Sequence, residues 1–255
     1  MPKIKIVAHD LGIEEERAHI IPLSDLHIGA GFNEKKFAGY RNWILERPHA
    51  YCVIVGDVID NATKDSIGDV HGTIRPSEQK EFAEEVLRPL AEAGKILAWV
   101  EGNHELRTAK KTDQFIGKDL CKIFGLHTKE KSIYDPDGIY MFISVGYDRA
   151  KGKRSRNVYT GFMLHGFTGG KTMGAKANAL AAMAHSVQAD FYIAAHAHTK
   201  LMFPSYAVLP ETRSKTLRFK KRSHVMAGSF QEWEGYPIRQ NFQPTPMGSP
   251  RLRLD

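Results

Sequence analysis

The sequence predicts an α/β protein, and three observations support this class. In the first half of the chain, short apolar stretches of strand length alternate with segments whose apolar residues recur every three or four positions. The second half is richer in consecutive strand-like stretches. Hydrophobic residues make up 42% and charged residues 25% of the 255 residues, as in ordinary globular proteins. We therefore expect parallel strands joined by crossover helices in the first half and further strands in the second.

The individual elements follow from these patterns. Apolar runs predict strands at residues 19–24, 50–55, 96–101, 139–145, 162–165, 191–195 and 225–227. Helical periodicity predicts helices at residues 34–46, 77–93, 112–124 and 175–187, the first of them with Asn33 as its N-cap. Four prolines fall after residue 235. We therefore divide the chain into a main domain of residues 1–235 and a Pro-rich, extended C-terminal arm of residues 236–255.

Charge and cysteine content indicate which binding partners and which cellular compartment to expect. The formal net charge is +7, and basic residues are concentrated in residues 151–156 and 213–222. These two segments suggest contacts with the phosphates of DNA or RNA, with solvated loops as the alternative. Cys52 and Cys121 lie among apolar residues, which indicates reduced core thiols of an intracellular, cytoplasmic protein. No apolar run approaches the length of a membrane helix, so we expect no membrane partner, and the oligomeric state stays open.

Metal-type ligands follow five of the predicted strands. The carboxyl ends of strands in an open α/β sheet border a common crevice, so side chains at these positions meet there. Any one of them alone is weak evidence, because a Gly-Asp pair commonly forms a turn. The set is Asp25 and His27, then Asp57 and Asp60, then Asn103 and His104, then His165, and last His196 and His198.

Together these residues predict a site for two divalent metal ions. Carboxylates and imidazoles bind Mn²⁺, Fe or Zn²⁺, and we expect Mn²⁺. A carboxylate such as Asp57 can bridge two ions, which then hold a hydroxide at neutral pH and bind phosphoryl oxygens. A histidine outside the ligand set can protonate the leaving oxygen.

The series SDLHIG, GDVID, GNHE, HG and HAH resembles the motifs of the calcineurin-like metallophosphoesterase superfamily, in the same order. The resemblance implies a four-layer α/β/β/α sandwich of two mixed sheets flanked by helices. It implies that His104 is the general acid and that Asp60 orients it. It also implies the metal ligands, which are Asp25, His27 and His198 for one ion, Asn103, His165 and His196 for the other, and Asp57 as the bridge.

Departures from the superfamily's branches bear on the substrate. Asn61 and Glu101 stand where the protein Ser/Thr phosphatase branch has phosphate-binding arginines. With the basic segments, this favours phosphodiesters, including nucleic acid or nucleotides. The alternative is a phosphomonoesterase that acts on small molecules or proteins with the same dimetal site. Arg107 and Lys171 are the candidate substrate contacts.

Overall fold

The computed structural model describes residues 4–11, 17–62, 74–146, 156–166, 170–234, 238 and 243–255. In chain order, the strands are β1 (Lys5–Leu11), β2 (Ala18–Leu23), β3 (Ala50–Val55), β4 (Ile96–Val100), β5 (Tyr134–Asp135), β6 (Ile139–Gly146), β7 (Arg156–Met163), β8 (Phe191–Ala194), β9 (Leu201–Glu211), β10 (Thr216–Met226) and β11 (Leu252–Leu254). The helices are α1 (Glu34–Leu45), α2 (Pro76–Glu92), α3 (Glu105–Thr112), α4 (Ile116–Ile123) and α5 (Met173–Ser186). The predicted basic segment 151–156 lies outside the described residues, apart from the backbone of its last residue.

The strands form two mixed sheets. The first sheet has the order β1-β6-β7-β8-β10-β9, and the second has the order β11-β2-β3-β4-β5. Helix α5 lies against β8 and β10 of the first sheet, whereas α1 and α4 lie against the second, with α2 packed on both of these helices. The four-layer α/β/β/α architecture is therefore confirmed.

A large apolar core extends between the two sheets and beneath the helices that cover the second sheet. Met141 and Ile143 from β6 belong to it, as do Ile21 from β2 and Ile54 from β3. Because β2, β3 and β4 are parallel to one another, their carboxyl ends lie at the same edge of the second sheet. β7 and β8 are parallel in the first sheet and likewise end together.

One predicted helix starts too early. The helix predicted at residues 112–124 corresponds to α4, and it is preceded by an unpredicted helix, α3, with a break between the two. Asp113 ends α3 in a left-handed conformation with φ of 59°, and a residue in that conformation cannot continue an α-helix. α4 then begins at Ile116. The strand predicted at residues 225–227 is only the inner end of β10.

The end of the predicted arm contributes to the second sheet. β11 pairs antiparallel with β2, and both Leu252 and Leu254 are buried in the apolar core. Residues 243–251 have no helix or strand, in line with an extended segment. The division of the chain into a main domain and an arm stays a prediction.

The two cysteines are core residues, as expected. Cys52 in β3 and Cys121 in α4 are buried and form no disulfide, and burial raises the pKa of each thiol. In the described part of the chain, no helix combines the length and apolar character needed to cross a membrane.

Candidate metal centre

The loops after β2, β3, β4, β7 and β8 meet at one end of the sandwich. The backbone of Asp25 donates to the Gly56 carbonyl at 3.1 Å, so the loops after β2 and β3 stay side by side beyond the strands. The predicted ligands come together there in two groups, and each group draws side chains from both sheets. The first group is Asp25, His27 and His198, and the second is Asp57, Asn103, His165 and His196.

The first group surrounds a buried carboxylate oxygen. Oδ1 of Asp25 lies 3.2 Å from Nε2 of His198 and 3.8 Å from Nε2 of His27, and the two imidazole nitrogens are 3.1 Å apart. Within the described residues, no hydrogen bond of good geometry reaches this oxygen. A buried carboxylate oxygen that faces two imidazole nitrogens is an environment that a cation would satisfy.

The second group lies beside the first, with Asp57 between them. Oδ2 of Asp57 is 3.2 Å from Nε2 of His165 and 3.9 Å from Nε2 of His27, which belongs to the first group. Oδ1 of Asn103 lies 3.2 Å from Nε2 of His165 and 2.7 Å from Nδ1 of His196. Asp57 thus lies between the two groups.

Both groups fit a divalent ion in donor type and spacing. Atoms that share one ion through bonds of about 2.1 Å lie roughly 3 to 3.5 Å apart. Most of the donor separations above fall at or near that range, and the donors are oxygens and imidazole nitrogens, which suit Mn²⁺, Fe or Zn²⁺. The residues present therefore fit two such ions.

The backbone at five of these seven residues is left-handed. φ is 52° at Asp25, 47° at His27 and 51° at Asp57, and it is 68° at His196 and 49° at His198. Residues other than glycine rarely adopt this conformation, which costs roughly 1 kcal/mol or more at each position. The fold therefore holds strained backbone where it places the ligands.

Two glycines allow the loops after β3 and β4 to touch. A Cβ on Gly56, whose φ is 80°, would lie 2.4 Å from the backbone nitrogen of Gly102. A Cβ on Gly102 would lie 2.1 Å from Oδ1 of Asp57. Only glycine at these positions lets Asp57 and Asn103 approach each other.

The residues that support the ligands were missed by the sequence patterns. Glu105 is the clearest, because its buried carboxylate accepts hydrogen bonds from the backbone of Asp57 and Gly102 at 2.9 Å and of Ile59 at 3.1 Å. It thereby joins the loops after β3 and β4. The letter E in the GNHE motif was a visible signal, but its role depends on contacts 46 and 48 residues away in sequence.

Other supports hold Asp25 and the His-x-His segment. The Ser24 hydroxyl lies 2.7 Å from Oδ2 of Asp25, and the Ser229 hydroxyl donates to the Asp25 carbonyl at 2.8 Å. Nζ of Lys176 in α5 donates to the carbonyl of Ala197 at 3.1 Å, between the two histidines. These residues position the ligands from outside the two groups.

The electrostatics of the cluster favour positive charge. Burial opposes a charged imidazole at His27, but the carboxylates of Asp25 and Asp60 outweigh it and raise its pKa to about 10. Burial is likewise outweighed by Asp57 at His165, whose pKa rises to about 9. Burial alone would raise the pKa of the Asp25 carboxyl, yet His198 and His27 hold it well below its usual range.

His104 lies at the rim of the cluster and is not among the predicted ligands, although its ring nitrogen, His27 and Asp57 together also have the spacing of metal ligands. Its Nδ1 is 2.6 Å from the backbone carbonyl of Asp60 and 3.3 Å from that residue's carboxylate. Because a carbonyl oxygen only accepts, Nδ1 carries the proton of the neutral ring. Nε2 then faces the cluster, 4.0 Å from Oδ2 of Asp57 and 3.1 Å from the Arg107 guanidinium.

Of the two predicted substrate contacts, one lies at the cluster and the other does not. Arg107 lies at the cluster and also donates to the Asp60 carbonyl at 3.0 Å. Lys171 is exposed in the segment before α5 and belongs to neither group.

Asn61 and Glu101, which stand at the two positions without arginine, are buried and form hydrogen bonds. The Asn61 side chain donates to the His104 carbonyl at 2.7 Å. The Glu101 carboxyl accepts from the Tyr134 hydroxyl at 2.8 Å and from the backbone of Gly117 at 2.9 Å. Burial and the neighbouring Glu105 carboxylate raise the pKa of Glu101 to about 8. Neither residue can take the place of a phosphate-binding arginine.

Comparison with known proteins gives one decisive match. The sequence profile of the calcineurin-like phosphoesterase family matches residues 18–200, which is more than half of the chain and includes all seven predicted ligands. No curated protein sequence matches.

Similar solved structures include a predicted phosphoesterase from Streptococcus pneumoniae TIGR4, with 12% identity, a TM-score of 0.38, and coverage of 94% of this chain and 84% of the other. Yfce, a phosphoesterase from E. coli, has 16% identity, a TM-score of 0.39, and coverage of 86% and 83%. Vacuolar Protein Sorting 29 from Cryptosporidium parvum has 12% identity, a TM-score of 0.39, and coverage of 84% and 76%. At this similarity the structures carry no argument about activity, which rests on the sequence match.

Proposed function

This chain belongs to the calcineurin-like phosphoesterase family, and from that premise we propose that it hydrolyses phosphodiesters at a dinuclear metal centre. The resemblance noted in the motif series is thus confirmed, and the chain is a metal-dependent phosphoester hydrolase. The observation that carries the finer proposal is the convergence of oxygen and nitrogen donors in two adjacent groups that share Asp57. We propose Mn²⁺ as the ion, with Fe or Zn²⁺ as alternatives that the same donors accept.

The ligand roles in this proposal follow the two groups. Asp25, His27 and His198 would hold one ion, Asn103, His165 and His196 the other, and Asp57 both. When bound, the ions supply positive charge for the phosphoryl oxygens and lower the pKa of water to give a nucleophile at neutral pH.

The remaining residues would orient the substrate and move a proton. With both ring nitrogens protonated, His104 would donate the Nε2 proton to the leaving oxygen, while Asp60 holds Nδ1 and keeps the ring aimed at the cluster. The Arg107 guanidinium, 3.1 Å from that Nε2, is placed to bind an oxygen of the phosphate beside the leaving group. Lys171, exposed before α5, is the weaker candidate for a substrate contact.

The preference for diesters over monoesters is supported by the residues at positions 61 and 101. Asn61 and Glu101 are buried and engaged with the backbone or with Tyr134, so neither supplies the guanidinium that would bind the extra charge of a monoester. The formal charge of +7 further favours a polyanionic substrate, and DNA or RNA is the candidate class.

Hydrolysis of bis-p-nitrophenyl phosphate against p-nitrophenyl phosphate with added Mn²⁺ tests the proposal. We expect faster turnover of the diester, and a panel of single- and double-stranded DNA, RNA and cyclic nucleotides then narrows the substrate. Asp57→Asn should lower activity by roughly a hundredfold or more and reduce metal content, because a neutral amide is a poorer bridge between two cations. Asp137→Asn, a matched change at an exposed turn, should alter neither.

Two outcomes would contradict the proposal. Preferential hydrolysis of the monoester would assign the site to a phosphomonoesterase. Full metal content and full turnover in Asp57→Asn would remove Asp57 from the ligand set.

A further inference from the structure

The outer half of the β9–β10 hairpin projects beyond the first sheet. β9 is the edge strand, and β8 pairs with β10 only at residues 223–226. Residues 206–211 and 216–221 therefore pair only with each other among the described strands. These two segments and the turn between them, residues 206–221, are called the β9–β10 ribbon.

The ribbon has a rigid base. His224 in β10 is buried between two aromatic rings, with its centroid 5.1 Å from that of Tyr192 and 4.8 Å from that of Phe203. The rings are nearly parallel, with interplanar angles of 15° and 9°. Nε2 of His224 also lies 2.8 Å from the Ser205 hydroxyl. The ribbon therefore extends from a packed foundation.

One face of the ribbon carries exposed rings beside a cation. Tyr206 lies opposite Lys221 and Val208 lies opposite Phe219, so these four side chains share a face. Tyr206 is 65% exposed and Phe219 is 70% exposed. Aromatic rings this open to water on a rigid strand pair are available for stacking.

Most of the protein's net charge lies on this hairpin. Residues 201–226 contain six basic residues and one acidic residue, a formal charge of +5 out of +7 for the whole chain. Lys220 pairs with Asp190 at 2.8 Å, and Arg222 bonds to Gln188. Among the described residues, no acidic side chain pairs with Lys215, Arg218 or Lys221.

Charge and backbone argue against a second copy of this chain on the ribbon. Two copies packed face to face would bring equal positive charges together, which opposes association. Addition of a strand to the edge of β9 is hindered by Pro204 and Pro210, which have no N–H to donate. The face instead complements a polyanion that also presents flat aromatic surfaces.

We propose that the β9–β10 ribbon binds single-stranded nucleic acid, with bases stacked on Tyr206 and Phe219 and phosphates held by Lys221 on the same face and by Lys215 in the turn. This inference rests on the proposed function, because it names the polymer whose phosphodiester bonds would be cut. Bases stack on exposed rings only when they are unpaired, so a single strand is favoured over a duplex.

The distance from the metal centre requires a polymer. β9 begins at Leu201, three residues after His198, and runs away from the cluster. At about 3.3 Å per residue, Tyr206 lies about 17 Å along the strand from Leu201. A mononucleotide cannot contact both places, whereas an extended strand can.

Fluorescence anisotropy with a labelled 20-nucleotide oligo-dT and the full chain tests the inference. Tyr206→Leu and Phe219→Leu should each weaken binding roughly tenfold without changing its salt dependence. Replacing Lys215 and Lys221 together by Ala should reduce the slope of log affinity against log salt by about 1.4, since each single-strand phosphate contact contributes about 0.7. Phe142→Leu, a matched change at an exposed ring on β6, should bind like the parent. Thermal unfolding confirms that each variant is folded.

Several results would overturn the inference. They are failure of the parent to bind oligo-dT at low salt, equal or tighter binding of a duplex, and unchanged binding in the aromatic variants. A dimer in sedimentation that Phe219→Leu disperses would assign the face to a second copy. Binding to phosphatidylserine vesicles in place of oligo-dT would assign it to a lipid surface. Hydrolysis of bis-p-nitrophenyl phosphate by the parent tests the metal centre separately, so either proposal can fail alone.

Discussion

At the scale of single residues, His104 is distinguished by what holds each of its two ring nitrogens. Asp60 holds Nδ1, and Nε2 faces the cluster. We predict that His104→Ala keeps its metal but slows hydrolysis of a diester with a poor leaving group by roughly 10²–10⁴, the usual contribution of a general acid. Nitrophenyl esters should be affected less, because nitrophenolate leaves with little need for a proton.

Asp60→Asn is the companion variant for that experiment. It keeps the backbone carbonyl that accepts from Nδ1 and changes only the carboxylate 3.3 Å away, so the defect should be smaller and of the same kind. Metal analysis and turnover with both classes of ester are the measurements. Loss of metal in His104→Ala would make His104 a ligand instead of an acid.

Gly102 is the second residue with a sharp expectation. Gly102→Ala places a methyl group 2.1 Å from Oδ1 of Asp57, a separation that no relaxation of the methyl itself can relieve. Asp57 must move, so metal affinity and activity should fall by at least tenfold, as judged by calorimetric titration with Mn²⁺. Gly39→Ala in α1 meets nothing within 4 Å and should leave both values unchanged. Parent-like affinity in Gly102→Ala would show that the Asp57 loop is free to shift.

At the scale of elements, the loops after β3 and β4 depend on one side chain at the start of α3. Glu105 accepts three backbone hydrogen bonds, and Glu105→Gln would point an amide N–H₂ at one or two of those donors. We predict a loss of about 1–3 kcal/mol in the free energy of unfolding and weaker metal binding, measured by denaturant titration and calorimetry. Glu78→Gln, at the exposed first turn of α2, is the control. If Glu105→Gln left the free energy of unfolding unchanged, residues other than Glu105 would have to hold these loops together.

Most elements that carry the ligands were predictable because each joins an apolar strand to a polar end; the exception is β7, of which the prediction at residues 162–165 covers only the last two residues. β3 was predicted to the residue, and β2, β4 and β8 to within a residue at each end. The β9–β10 hairpin was not predicted, because its outer half buries no apolar face and its basic residues resemble a solvated loop. β1 was not predicted either, because only Val7 and Leu11 of its seven residues are buried and Ile6 is 61% exposed.

The candidate site was predictable only in its first layer of side chains. Asp25 and His27 are visible as metal-type residues after a strand, whereas Ser229 supports Asp25 from 204 residues away in sequence. The two-group arrangement likewise depends on how the sheets face each other, a property of packing and not of any local pattern. The break between α3 and α4 was missed because Asp113 is compatible with a helix until its left-handed backbone is seen.

At the scale of the whole molecule, the cluster links metal binding to pH. With pKa values of about 10 for His27 and about 9 for His165, both imidazoles hold protons near pH 8 in the metal-free protein. A divalent ion must displace them, so metal affinity should rise with pH up to about 9 to 10, and about two protons should be released per chain at pH 8. Calorimetry in buffers of different ionisation enthalpy counts these protons. Binding without proton release at pH 8 would contradict the expectation.

The same protons act on the metal-free fold. A raised histidine pKa stabilises the folded state fully below the unfolded value of 6.5, and this contribution disappears as the pH rises through 9 to 10. Metal-free protein should therefore lose stability between pH 6.5 and 10, while metal-loaded protein loses less. Thermal unfolding over this range, with and without chelator, is the measurement.

Each group of predicted ligands takes members from both sheets, so ion binding would make the protein's lifetime depend on the supply of metal. A bound ion would connect the ligand loops of the two sheets at this end of the sandwich, so its binding free energy would add to the free energy of folding. Removal of the ions by chelation would leave the strained ligand loops without the metal bonds that connect them. The apolar core away from this end of the sandwich would be unaffected. Local unfolding would then begin at these ligand loops, and proteases would cleave the exposed backbone there first. A cell poor in the right metal would clear this enzyme faster than one that is rich in it.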